Sequence, residues 1–473
     1  MTLVGRPREG REAMAGGWGD RESGVILGDL GDGFVLRRAQ PEDAEAIAAF
    51  NARVHHSPGG PFERREPHAG IAAMTRDLIS GDHPACGPGD FTVVEDTGTG
   101  SVVSSACLIE QHFSYGGVEV RAGLPELVGT HPDYRGRGLV REQMAVLHAW
   151  SREHGHLMQA IAGIPYFYRR FGYEMAVWMG SGRRLFARDL PVRPSDAPPS
   201  DTTTGEDRLF RLRPATVSDA PFLSDLDLRS VRRYLLASPR EAAIWRYEIA
   251  GRDPESDEYL QVKILERPAG EAVGYVCHAR DLSAGTLPVH AYELADGVSW
   301  LEANPFVLNA LAQAAGERPD SLTFSLGQSH PFYDAFPDPP LYDLDRDDHY
   351  SFYVRIPNLP SFILKVAPVL EERLSNSVAA GHTASLEISF YSSGLRLEIL
   401  HGRLNSAELW NPTPENSGDA SFPDLTFLQL LFGHHSLQEL SLAFPDCSPG
   451  SGDTQAILKA LFPQRPSNLE PVC

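Results

Sequence analysis

Apolar and polar positions alternate in a way that separates strands from helices along most of the chain. Gly33-Phe34-Val35-Leu36-Arg37-Arg38 predicts a short strand, and Pro41 then sits where a first helical residue would. Ile47, Phe50 and Val54 make the stripe of a helix, and residues 55–70 read as a loop leading to a further helix. Phe91 to Glu95 and Val102 to Ile109 predict a hairpin across Asp96-Thr97-Gly98-Thr99-Gly100. A β-branched run from Glu119 to Val128 stops at a proline turn, and a Gly-rich loop then opens a helix. Val140, Met144 and Leu147 recur along that helix, with Gly155 as its stop.

The pattern then starts again. Phe210-Arg211-Leu212-Arg213-Pro214-Ala215 echoes Phe34 to Ala39, and Asp219-Ala220 echoes Asp43-Ala44. Phe332-Tyr333-x-x-Phe336 echoes Phe167-Tyr168-x-x-Phe171. Matching marks at both ends predict a second copy of one fold. No Gly-rich loop opens the corresponding helix, expected from Pro305 to Gly316, so the copy is expected to have lost that function. Residues 351–473 change character. A helix from Leu359 to Asn376 precedes three antiparallel strands (Leu386–Phe390, Leu395–Ile399 and Leu404–Trp410), and short helices follow from Pro423, Ser436 and Thr454.

Composition narrows the class. At 42% hydrophobic and 22% charged residues, the 473-residue chain describes a globular protein of about three domains. No apolar run approaches the ~20 residues of a membrane span, and residues 1–30 lack the apolar core of a signal peptide. Five scattered cysteines without a close pair predict a reducing cytoplasm and no disulfide framework. The net charge of −21 falls mostly on residues 191–350, which disfavours nucleic acid and anionic membranes as partners and suits a cationic acceptor. The histidines of His154-Gly155-His156 find no further ligand pattern in the sequence nearby, so they predict solvated side chains and no metal.

The chemistry concentrates between Leu127 and Phe171. A strand feeding a Gly-rich loop at a helix N-terminus is an anion cradle, because free amides and the helix dipole point at the charge. Neither the dinucleotide fingerprint nor the Walker pattern fits here: Gly136-Arg137-Gly138 is followed by Leu139, Val140 and Arg141, and no Gly-Lys-Ser/Thr occurs. Arg135-x-x-Gly138-x-Val140 instead resembles the pyrophosphate loop of the GCN5-related N-acetyltransferases, with Val140 in place of the usual small residue. Phe167-Tyr168-Arg169-Arg170-Phe171-Gly172-Tyr173 looks most like the enhanced intracellular survival group of that superfamily. Tandem copies followed by a helix, a sheet and packed helices, similar to the sterol carrier protein fold, extend the resemblance over nearly the whole chain after residue 30.

The resemblance implies an α+β architecture: tandem GCN5-related N-acetyltransferase folds followed by a sterol-carrier-protein-like domain. The expected division is a disordered tail (1–30), a catalytic domain (31–190), a linker (191–207), a degenerate second acetyltransferase domain (208–350) and the third domain with its C-terminal tail (351–473). It implies acetyl-CoA as co-substrate, held by Leu127, Val128, Gly129, Arg135, Gly136, Arg137, Gly138, Leu139, Val140, Gly163 and Ile164. Tyr168 is the expected proton donor to the CoA thiolate, a role its ordinary pKa of about 10 suits. The expected base is the α-carboxylate of Cys473, with Glu126 as the fallback. Tyr173 and Tyr333 are expected to be structural. The implied acceptor is a primary amine on a small cationic molecule or peptide, acetylated by direct transfer, and the family suggests a homo-oligomer, a hexamer. Alternatives are a carrier of an apolar ligand and a non-catalytic acyl-CoA sensor.

Overall fold

The computed structural model describes residues 24–55, 66–179, 182–190, 209–313, 318–336, 341–343 and 351–473. The expectations for residues 1–23 of the tail, for the linker and for most of the 55–70 loop therefore lie outside the described residues.

The first sheet gathers β1 (Ile26–Gly31), β2 (Phe34–Arg38), β3 (Phe91–Asp96), β4 (Ser101–Tyr115), β5 (Val118–Thr130), β6 (Met158–Ile161) and β7 (Glu174–Trp178), with helices α1 (Ala44–Val54), α2 (Ala69–Ile79) and α3 (Leu139–Glu153). β1 lies in the stretch read as a tail and pairs antiparallel with β2. The 91–109 hairpin forms with a much longer second strand. β5 and β6 are parallel and are joined by α3, after whose last turn Gly155 takes φ of +71°. The next strand, β8 (Arg183–Phe186), leaves this sheet.

The second sheet contains β9 (Arg211–Pro214), followed by α4 (Ala220–Ser230), β10 (Leu236–Ala237), α5 (Ala242–Ala250), β11 (Leu260–Glu266), β12 (Ala272–Ala279), β13 (Thr286–Leu294), α6 (Trp300–Leu311), β14 (Ser321–Phe324), α7 (Pro331–Asp334), β15 (Leu341–Asp343) and β16 (Ser351–Arg355). Of these, β10 pairs with β4 and β16 with β6 and β7, all in the first sheet. The orders are β1-β2-β3-β4-β5-β6-β16-β7 and β15-β8-β14-β13-β12-β11-β9. Besides β10, each sheet thus receives one strand from the other segment at the same place, next to the strand that follows its crossover helix. β8 and β16 cut across the divisions at residues 190 and 350 drawn from the sequence. α6 begins at Trp300, earlier than the expected Pro305, and carries Pro305 inside it.

The repeat in the sequence has a physical basis. Arg37 donates twice to Asp43, at 2.7 and 2.9 Å, and once to Glu95 at 2.9 Å. Arg213 does the same to Asp219, at 2.8 and 2.7 Å, and to Glu266 at 2.9 Å. Each set ties a first strand to the turn that starts its helix and to the neighbouring strand. Two-pronged guanidinium–carboxylate geometry fixes the angle between these elements.

The remainder of the chain forms α8 (Leu359–Lys365), α9 (Ala367–Ser375), β17 (Ala384–Ser389), β18 (Gly394–Leu400), β19 (Arg403–Trp410), β20 (Ala420–Ser421), α10 (Phe427–Leu431), α11 (Leu437–Ala443) and α12 (Gly452–Leu461). The single helix expected from Leu359 to Asn376 breaks at Val366. Pro368 follows there and has no N–H with which to continue the ladder. This part shares one continuous core with the first sheet, from Ile109, Phe113 and Tyr115 to Phe362, Leu430 and Phe432. The Tyr115 hydroxyl donates to the Leu431 carbonyl at 2.7 Å.

Candidate functional site

The site arises where β5 and β6 part. They pair only at Ala122–Met158 and Gly123–Gln159. On its other edge β5 carries a bulge: Ser105 faces Gly129 and Cys107 faces Glu126, so Leu127 and Val128 share a single partner position. Leu127 takes φ of +51°, a conformation uncommon outside glycine, which re-aims the backbone at that point. A cleft of about 660 Å³ opens between the diverging strands.

The bulge (Leu127, Val128, Gly129), the loop residues Arg135, Gly136 and Gly138, and Leu139 and Val140 of α3 line one side of that cleft. Gly163, Ile164 and Tyr168 line the other. Arg137 is not in the lining; its guanidinium lies over the rings of Phe34 and Tyr134. Gly136 and Gly138 both adopt left-handed φ, +78° and +84°. A Cβ on Gly136 would meet nothing within 4 Å, and one on Gly138 only the Arg141 guanidinium at 4.0 Å. Open space thus faces the backbone just where α3 begins, and no side chain caps that end. These residues fit a diphosphate. Val140, the departure from the family pattern, packs against the cluster around Tyr168.

Tyr168 is 4% exposed and stands in a short turn that ends at Gly172. Its hydroxyl lies against Gly163, where an added Cβ would be 3.3 Å from the oxygen. The ring is held edge-on by Phe167, Tyr173 and Tyr353, with centroids 5.2, 6.2 and 5.7 Å away. Tyr353 comes from the exchanged strand β16, and its hydroxyl accepts from the Tyr166 amide. The sequence offers an aromatic run at Phe352-Tyr353 but no sign of the sheet it joins. Tyr173 is fully buried and donates to Gln159 at 2.9 Å. In the second sheet, the Tyr333 hydroxyl donates to the Phe324 carbonyl at 3.0 Å, and Arg183 of the exchanged β8 lies 4.4 Å over its ring. Between β13 and α6 a short connection with a single glycine, Gly297, replaces the loop.

Glu126 also lines the cleft, and burial pushes its carboxyl up to about 7, against the Leu127 amide that donates to it at 3.2 Å. His55, at the end of α1, also lines the cleft, and burial lowers its pKa. Cys473 is not in the lining. Gln111 clamps the preceding residue, donating to the Val472 carbonyl at 2.9 Å and accepting from its amide at 3.3 Å. Arg252, paired with Glu248 at 2.8 Å, donates to the main-chain oxygen of Cys473 at 2.5 Å. The Cys473 thiol is pushed well up by burial, and the neighbouring Glu126 and Glu258 charges add to the shift.

Residues 35–176 match the family model for an acetyltransferase (GNAT) domain. The match falls on the part of the chain that builds the cleft, which is thus similar to GNAT acetyltransferase domains. No curated protein matches the chain in sequence. Among solved structures, a GCN5-related N-acetyltransferase from Anabaena variabilis is similar at 15% identity and a TM-score of 0.64, over 93% of this chain and 100% of its own. A probable N-acyltransferase from Enterococcus faecalis aligns at 14% identity and 0.63, covering 93% and 98%. Eis1 from Mycobacterium abscessus aligns at 16% and 0.58, covering 92% and 98%. At such identities the likeness is one of fold. Among the described residues, no helix is long and apolar enough to cross a membrane.

Proposed function

We propose that the GNAT domain transfers acetyl from acetyl-CoA directly to a primary amine of a small cationic molecule or peptide. The observation that carries this reading is the pairing of two features across one cleft. The left-handed Gly136–Gly138 turn at the open N-terminus of α3 faces the Tyr168 hydroxyl held over Gly163. The amides of the turn would hold the diphosphate, and the bulged backbone at Leu127 and Val128 would orient the thioester and stabilise its oxyanion. The neutral amine attacks the carbonyl carbon, a C–N bond forms, the C–S bond breaks, and Tyr168 gives its proton to the departing sulfur.

The amine's own proton needs an acceptor. Glu126, at about 7, is poised for this near neutrality. The main-chain oxygen of Cys473, the base implied by the resemblance, is engaged by Arg252, and Cys473 does not line the cleft. Glu126 is therefore assigned the proton, and Cys473 a place behind it that closes the acceptor end. The chain's net charge of −21 supports a cationic acceptor.

We further infer that the second sheet is a degenerate copy of the same fold. The recurring Arg–Asp–Glu anchor and the matching strand order support this, while the missing loop and the carbonyl-bound Tyr333 hydroxyl argue against activity there. The helix pair, four-stranded sheet and packed helices after residue 355 support the sterol-carrier-like reading of the third part. The test of function is thiol release from acetyl-CoA across a panel of amines. Turnover with cationic amines is expected, and hydrolysis that ignores the amine would refute transfer.

A further inference from the structure

Opposite the cleft, where α3 ends, the fold assembles three metal-ligating side chains that the sequence keeps apart. Glu110 projects from β4, and His154 and His156 stand on the turn after α3. One ligand atom from each lies within 4.8 Å of the other two. His156 is 4% exposed, and its Nδ1 sits 3.1 Å from the Ser151 hydroxyl, which fixes the ring. Its Nε2 is buried without a hydrogen-bond partner. An orphaned imidazole nitrogen in such a place is costly unless something coordinates it.

The surroundings are shaped for this ring. Glu110 and Gly123 are register partners across β4 and β5, and a Cβ on Gly123 would come within 2.8 Å of His156 Nδ1. Arg121 reaches Glu110 through Oε1, at 2.5 and 3.1 Å, and the carboxylate has a second oxygen. His112 lies 3.8 Å from the same Oε1. A cation here would also sit at the negative end of the helix whose N-terminus forms the cradle.

We propose that Glu110, His154 and His156 form a binding site for a divalent transition metal of zinc type, separate from the acetyl-transfer cleft. Two imidazoles and one carboxylate are a donor set for Zn²⁺ or Co²⁺ rather than for Mg²⁺ or Ca²⁺, which prefer oxygen alone. Bonds of about 2.0–2.2 Å require the ligand atoms to draw together by roughly 1 Å, within reach of side-chain rotation. The Ser151 hydroxyl orients His156 from behind, as outer partners of metal-bound histidines do. Such an ion would tie β4 to the end of α3.

The test is titration of untagged, chelator-treated protein with Zn²⁺ by calorimetry, and with Co²⁺ by visible absorption, together with melting curves. One equivalent of Zn²⁺ should bind and raise Tm, Co²⁺ should develop visible bands, and Mg²⁺ should do neither. His154→Ala and Glu110→Gln should each weaken binding by at least about tenfold, and His382→Ala, at an exposed turn of the third part, should leave it unchanged. Should the buried His156→Ala variant fail to fold, the half-buried His154 carries the test. No binding, or binding indifferent to His154 and Glu110, overturns the proposal.

Discussion

Gly163 and Tyr168 touch so closely that a Cβ on the glycine would lie 3.1 Å from Cε2 of the tyrosine and 3.3 Å from its hydroxyl oxygen. Gly163 also holds φ of +138°, which side chains other than hydrogen tolerate poorly. Gly163→Ala is therefore expected to push the Tyr168 hydroxyl aside and to lower kcat by roughly 10–10²-fold, the cost of a misplacement of about 1 Å. Steady-state kinetics check this, with a crystal structure of the variant to locate the ring.

Gly138→Val puts a branched side chain at φ of +84° in the space before α3. Affinity for acetyl-CoA, read by calorimetry, should fall by tenfold or more in a folded protein. The Arg137→Ala variant should lose far less, because Arg137 lies over Phe34 and Tyr134 outside the cleft.

With Glu126 at about 7, kcat/KM should rise with pH through that value as the carboxyl ionises. Glu126→Gln should flatten the rise and slow turnover. Stability runs the opposite way. The folded pKa lies above the unfolded value near 4.5, so the folded state holds a proton that the unfolded chain has lost between these values. The wild type should lose up to about 3 kcal/mol between pH 4.5 and 7 from this group, and no more above it. Chemical denaturation of wild type and Glu126→Gln across that window measures the difference.

Gln111 holds Val472 through both its amide atoms. Gln111→Leu keeps the bulk and removes both bonds, at a cost of about 1–3 kcal/mol. Hydrogen exchange at the Val472 and Cys473 amides should quicken, and turnover should fall while acetyl-CoA affinity holds, since the cradle lies elsewhere.

Much of the site was legible in the sequence because it is local. Loop, helix start and Tyr168 lie within one stretch of chain, and the glycines there mark backbone that needs left-handed φ. What was hidden depends on distant segments. Tyr353 reaches Tyr168 only because β16 inserts between β6 and β7, and Phe-Tyr alternation is the same whichever sheet a strand joins. Glu110 meets His154 and His156 through β-sheet register, which no spacing within the helix turn encodes. The bulge at Leu127 was equally silent, since nothing in Glu126-Leu127-Val128 marks a positive φ. Where a helix was misjudged, at Val366, the signal was present in Pro368 and was outweighed by the apolar stripe.

The most direct test compares Tyr168→Phe with Tyr333→Phe in acetyl-CoA binding and in amine-dependent thiol release. Removing one hydroxyl leaves both rings in place. The Tyr168 variant should bind acetyl-CoA as the wild type does and turn over roughly 10²–10⁴ times more slowly, the range for a lost general acid. The Tyr333 variant, whose hydroxyl serves the Phe324 carbonyl, should keep its turnover. Full activity in Tyr168→Phe, or equal losses in both, would contradict the assignment of chemistry to the first cleft.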